Sequence, residues 1–170
     1  LELNVNRKNY VALETSSDSD ITISDLVRNS LRMKPDRVFI GEVRGPEAFD
    51  LMQAMNTGHE GSMSTIHANS ALEALTRLET LYMMSGYNFL TPVVRSHIST
   101  GIDFIVQISR DMSGKRFISE VIEIGGMEGE TILFSPIFER EGGELKFTGI
   151  PPSNLARLTA YSEIENDFFE

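Results

Sequence analysis

Short apolar runs and longer amphipathic stretches follow one another along the first hundred residues of this chain, and the two spacings predict strands and helices in turn. Residues 10–15 form a β-prone run, and the polar stretch at 16–20 that follows has the composition of a loop. Thr22 or Ser24 can cap a helix whose apolar positions Leu26, Val27, Leu31 and Met33 share one face, with Lys34 and Pro35 ending it. Residues 37–44 read as a buried strand through Val38, Phe39 and Ile40, polar only at its C-terminal end. Pro46 opens a helix with Phe49, Leu51, Met52 and Met55 as its apolar stripe, stopped by Asn56, Thr57 and Gly58. A second strand is expected at 62–67. Asn69 or Ser70 then caps a helix to about Met84, and another helix runs from Pro92 to about Thr100.

After residue 102 the pattern changes. Strand-like runs at 103–109, 116–124, 130–138 and 144–148 are punctuated by turn signals at Ser113-Gly114, Gly125-Gly126 and Gly142-Gly143. Pro151 and Pro152 introduce a last short helix through Tyr161, with a frayed acidic end beyond it. Strands separated by helices imply an α/β fold with a helix-covered, mostly parallel sheet, and the hairpin-spaced strands imply a C-terminal antiparallel extension. A length of 170 residues points to one domain, divided here into a core at 1–110 and a β-rich extension with a terminal helix at 111–170.

Charge changes this picture in one respect. The net charge is −10, and residues 111–170 carry 5 basic against 12 acidic side chains. No basic concentration marks a phosphate-backbone footprint, so no direct nucleic-acid partner is expected. The absence of cysteine excludes a disulfide scaffold, a thiolate nucleophile and a Cys-ligated metal. No apolar run reaches the roughly 18 residues of a membrane span, and Leu1 begins mid-pattern, as a fragment would.

The chemistry-bearing residues lie at two strand ends. An apolar strand ending in Gly41-Glu42 delivers a carboxylate to the C-terminal edge of a parallel sheet, where open α/β folds bind ligands. The second strand ends in His67. Taken singly, Glu42 is an exposed strand-end acid and His67 a satisfied imidazole. Together on one rim they make an acid that can orient water or a hydrated Mg²⁺ and a histidine that can hydrogen-bond a phosphate. Two look-alikes fail: His59-Glu60 is followed by Met63 where a zinc protease needs its second histidine, and in Ser113-Gly114-Lys115 the Ser/Thr of a phosphate-binding loop is replaced by Arg116. The chain has no P-loop motif. His97, within a helix, reads as structural or exposed.

The segment 24–37, Gly41-Glu42-Val43-Arg44-Gly45, and the stretch from Thr57-Gly58-His59 to His67-Ala68-Asn69-Ser70 resemble the type II/IV secretion-system ATPases. Residues 102–107, 124–130 and 148–151 are similar to segments of the CpaF-like branch (tight adherence, Flp pilus). The resemblance implies a partial RecA-like P-loop ATPase core, from a hexameric traffic ATPase that uses ATP and Mg²⁺ to drive pilus assembly or protein secretion. Such an enzyme works at the inner face of the cytoplasmic membrane, docked on an inner-membrane platform protein. Conjugative DNA transfer within the same superfamily, and a non-catalytic ring or docking module, are the alternatives.

Carried over by position, the resemblance makes Glu42 and His67 the catalytic pair, with Glu42 reaching Mg²⁺ through water and no residue binding metal directly. It makes Arg44 and His59 nucleotide-binding. Leu1-Glu2-Leu3 looks like the tail of the family's Asp box, which implies that the P-loop precedes Leu1 and that this chain alone is inactive. Ala12 and Ser16 stand where arginines serving ATP across a subunit boundary are expected, leaving Arg7, Arg28 and Arg32 as candidates for an intersubunit cation worth roughly 10³ to 10⁵ in rate.

Overall fold

The computed structural model describes Val5, residues 7–161 and residues 166–169. The Leu1-Glu2-Leu3 assignment lies outside the described residues. So does part of the acidic end expected to fray, although residues 166–169 form a 3₁₀ turn whose Phe169 packs on Phe138 and Phe147.

Helix α1 (Ile23–Leu31) starts where Thr22 caps it. Thr22 Oγ1 accepts from the Asp25 N–H at 3.2 Å and Asp25 Oδ2 accepts from the Thr22 N–H at 2.9 Å, which satisfies two donors that a helix start otherwise leaves unpaired. Lys34, at φ 53°, turns the chain into strand β1 (Phe39–Ile40). Helix α2 (Glu47–Asn56) follows directly, with Pro46 at its cap. Strand β2 (Met63–Ser64), α3 (Ala71–Met83, capped by Ser70) and α4 (Thr91–Gly101, with Pro92 in its first turn) complete the helical half.

Strands β1 and β2 pair in parallel, Phe39 with Met63 and Ile40 with Ser64. Flanking bonds extend the association beyond these residues: Met63 N–H to the Val38 carbonyl (3.1 Å), Val43 N–H to the Thr65 carbonyl (2.9 Å), and Thr65 Oγ1–H to the Gly41 carbonyl (2.6 Å).

Four further strands, β3 (Phe104–Arg110), β4 (Arg116–Glu128), β5 (Thr131–Glu141) and β6 (Glu144–Phe147), form an antiparallel sheet in that order. A short helix α5 (Leu155–Tyr161) follows.

One core joins these parts. α2 lies at its centre, with Ala48, Leu51 and Met52 buried against Val27 of α1, Leu75 and Tyr82 of α3, Val94 and Ile98 of α4, and Ile122 and Ile124 of β4. Tyr82 is fully buried, and its hydroxyl hydrogen-bonds His97 Nδ1 at 2.7 Å, so of the two readings of His97 the structure favours the structural one. Glu123, buried between Ile122 and Ile124, accepts from Ser153 N–H (3.0 and 2.9 Å) and Ser153 Oγ–H (2.8 Å), which fixes the approach to α5. No helix of the described residues is long and apolar enough to cross a membrane.

The structure corrects three expectations. The larger sheet is antiparallel rather than parallel, and among the described residues parallel pairing is confined to β1 and β2. That antiparallel sheet begins with β3, in the 103–109 run expected among the hairpin-spaced strands. Residues 10–15 form no strand: residues 11–15 are exposed, and β propensity alone supplies no ladder without a neighbouring strand. Gly125-Gly126 is not a turn. Both lie inside β4, where the register slips between Ile124 and Met127, and Gly126 takes φ 93°; glycine within a strand commonly marks such a bulge. The two-residue turn lies at Gly129-Glu130 instead.

Candidate functional site

β1 ends at Ile40, and the loop Gly41, Glu42, Val43, Arg44 leads from it toward α2. Val43 is buried in the core, while Glu42 and Arg44, one position to either side, meet each other outside it. The Arg44 guanidinium pairs with Glu42 Oε2. His67, three residues beyond β2, brings Nε2 to 3.1 Å from Glu42 Oε1. Parallel pairing of β1 and β2 is the cause: both strands run the same way, so the residues after their ends arrive at one rim. The side chains are 16% (Glu42), 73% (Arg44) and 82% (His67) exposed, so the acid is sheltered and both its partners reach into solvent.

Electrostatics follow from this arrangement. The hydrogen bond from Arg44 holds the Glu42 carboxyl below the ordinary carboxylate range. Partial burial pulls the other way, and the charges of Arg44, His67 and Arg77 on α3 add to the lowering. At neutral pH Glu42 is therefore an ionised acceptor, able to orient a water, beside two donors able to meet an anion. That donor set fits the end of a polyphosphate with a hydrated cation: exposed Arg44 and His67 for the anionic oxygens, and Glu42 for the water shell.

The other sequence-derived candidates lie elsewhere. His59 stands at the opposite end of β2 from His67, where its Nδ1–H donates to the Ala54 carbonyl of α2 at 3.0 Å and its carbonyl accepts from Ser62 Oγ–H at 2.6 Å. Arg28 donates from Nε to Asp50 Oδ1 at 2.8 Å. Arg32 closes α1 with its backbone N–H. Arg7 and Arg32 are exposed. Arg28 and Arg44 do share the wall of an open cleft of about 580 Å³, together with Thr22, Glu47, Met84 and Ser85.

Two residues escaped the sequence reading. Glu47, buried at the start of α2, accepts through Oε1 from the backbone N–H groups of Arg44 (2.7 Å) and Gly45 (2.9 Å). Its signal was an acid in a helix first turn, where carboxylates meet unpaired N–H groups. Asp50 is buried too, and pairs with Arg28. No sequence signal set it apart: it lies off the apolar stripe of Phe49, Leu51, Met52 and Met55.

The α/β fold sets its paired acid and histidine at the rim after two adjacent parallel strands, the place where open α/β folds bind ligands. The family model described as "Type II/IV secretion system protein" matches residues 1–127, and the chain belongs to that family.

A putative conjugal transfer protein of Mycobacterium tuberculosis is 38% identical over 110 residues, 65% of this chain and 31% of that protein. Conjugal transfer protein TrbB of Rhizobium radiobacter is 40% identical over 125 residues, 74% of this chain and 36% of that protein. Among solved structures, the VirB11 ATPase from the Brucella suis type IV secretion system, in complex with sulphate, matches with a TM-score of 0.56 and 31% identity, over 59% of this chain and 31% of that one. The chain thus spans 31 to 36% of the length of these relatives.

Proposed function

We propose that this chain is the part of a traffic ATPase carrying its strand-end acid and its histidine, within a partial RecA-like core, and that the whole polypeptide hydrolyses ATP to drive secretion or pilus assembly. The observation that carries this reading is the contact between Glu42 and His67 at the end of the parallel pair, in a chain of this family.

In that role Glu42 orients the attacking water and meets Mg²⁺ through its hydration shell, His67 donates to the terminal phosphate, and Arg44 lies beside them. ATP supplies the phosphoryl group and Mg²⁺ the charge that neutralises it. His59 acts at a distance, holding the turn that leads into β2. The P-loop of the whole polypeptide lies outside this chain in this reading, so the chain alone binds Mg-ATP weakly. The working state is a homo-oligomeric ring, a hexamer, at the inner face of the cytoplasmic membrane and docked on an integral membrane platform protein. A neighbouring subunit supplies the remaining cation.

The CpaF-like pilus branch is supported by residues 102–107, 124–130 and 148–151. Conjugative transfer is a second reading, favoured by relatives whose names speak of conjugal transfer. Deleting the gene and scoring surface pili against plasmid transfer separates the two.

The catalytic reading is tested by Mg-ATP hydrolysis in the full-length protein. Glu42→Gln is expected to keep nucleotide binding and lower turnover by roughly 10²-fold or more, as loss of a proton-accepting group does. Unchanged turnover would reduce Glu42 to a strand-end acid with no part in the chemistry.

A further inference from the structure

Glu47 is one of four buried polar or charged residues among those described, the others being Asp50, Ser99 and Glu123. A buried carboxylate is costly unless it is hydrogen-bonded. Glu47 meets that need through the backbone of the loop leading out of β1, accepting from Arg44 N–H and Gly45 N–H.

The same loop is held on its other side. Val43 is buried, and its N–H donates to the Thr65 carbonyl. Arg44 is therefore rooted between two fixed neighbours, although its guanidinium is largely exposed. An exposed arginine ordinarily gains little from an ion pair, because ordering a long side chain costs as much as the pair returns. A fixed root removes part of that cost and leaves the guanidinium beside the Glu42 carboxylate.

We propose that Glu47 and Arg44 form a positioning relay for Glu42: Glu47 fixes the backbone at Arg44, and the Arg44 guanidinium holds Glu42 by Oε2, so that Oε1 keeps one direction, toward the His67 side of the rim. The relay rests on the reading of Glu42 as the water-orienting acid. It assigns Arg44 to the acid rather than to the nucleotide, and it gives a role to a residue that touches none of the reacting atoms.

The test is steady-state Mg-ATP hydrolysis by the full-length protein carrying Arg44→Gln, Glu47→Gln, Glu47→Ala, the double variant Arg44→Gln/Glu47→Ala, or Glu42→Gln, with thermal unfolding of each. Arg44→Gln is expected to lower kcat roughly 10- to 100-fold, the scale of losing orientation at a reacting centre, with KM within about 3-fold of the parent. Glu47→Gln keeps an oxygen that can accept both N–H bonds, and its kcat should stay within about 3-fold. Glu47→Ala should fall as far as Arg44→Gln, and the double variant no further than Arg44→Gln alone, because residues acting in series are not additive.

Multiplied defects in the double variant would overturn the relay. A raised KM at unchanged kcat in Arg44→Gln would overturn it as well, by moving Arg44 to the nucleotide. If Glu47→Ala fails to fold, Arg44→Gln and Glu47→Gln decide the matter: loss in the first with retention in the second supports the relay, and any other pair of results overturns it. Full turnover in Glu42→Gln removes the underlying reading and the relay with it, whereas a slow Glu42→Gln beside a normal Arg44→Gln removes the relay alone.

Discussion

Replacing Arg28 by methionine separates two roles for this arginine: a cation offered to a neighbouring subunit, or the partner of a buried acid in its own chain. Asp50 Oδ1 accepts from Arg28 Nε at 2.8 Å, and Oδ2 has no partner among the described residues. Removing one member of a fully buried pair costs about 3 to 5 kcal/mol, and an exposed pair is worth about 1 kcal/mol at most. This pair lies between those cases. The Asp50 side chain is 7% exposed but that of Arg28 is 56%, so solvent screens the interaction and water can enter the space the guanidinium leaves. A loss of about 2 kcal/mol is expected, which lowers Tm by roughly 4 to 8 °C in a chain of this size. Urea unfolding measures it directly, as a lower midpoint at unchanged slope. Arg28→Met combined with Asp50→Leu should recover most of the loss, because apolar replacement of a buried pair is often neutral. A loss below about 0.5 kcal/mol in the single variant would refute the reasoning and return Arg28 to the candidates for action across a subunit boundary.

Three other outcomes are expected. In the full-length enzyme, Arg44 keeps Glu42 ionised to lower pH than an ordinary carboxylate, so activity that needs the ionised acid should fail only below that range. Arg44→Gln removes the largest cause of the lowering, leaving His67 and Arg77 to act, and should move the acid limb of the rate profile upward; an unmoved limb would assign it to another group. Ile98→Ala, at a fully buried position of α4, should cost about 2 to 5 kcal/mol in urea unfolding, and a smaller loss would mean that α2 and β4 close the cavity. Ser153→Ala removes one of the bonds to buried Glu123 and leaves the backbone N–H bonds in place, for a loss of about 1 to 2 kcal/mol by the same measurement.

How much could be read from the sequence depended on how local its physical cause was. α1 to α4 follow from Thr22, Ser70, Pro46 and Pro92, because caps and proline act within a turn of where they stand. The proximity of Glu42 and His67 was legible because two short strands joined by a helix run parallel and end together. The run at 10–15 was misread because pairing depends on a partner that its own residues do not specify. Glu47 and Asp50 were passed over because each is an ordinary acid in sequence, and only packing shows that one holds a loop and the other an arginine. Gly125-Gly126 carried the right information, an unusual backbone, but a bulge and a turn ask for the same residue.

That bulge has a counterpart. In a regular antiparallel hairpin the numbers of paired residues add to a constant. Between β4 and β5 this total drops by one where Ile122 pairs with Pro136 and returns to its first value where Met127 pairs with Ile132. One strand's extra residue cancels the other's, so the ladder is in phase at both ends and out of phase only in the middle. The displaced stretch carries Ile122 and Ile124, packed in the core, and Glu123, which holds Ser153. Deleting Gly126 alone would leave the compensation half undone and reverse the facing of every residue between there and the turn. The two irregularities therefore behave as one unit of the fold, to be kept or lost together.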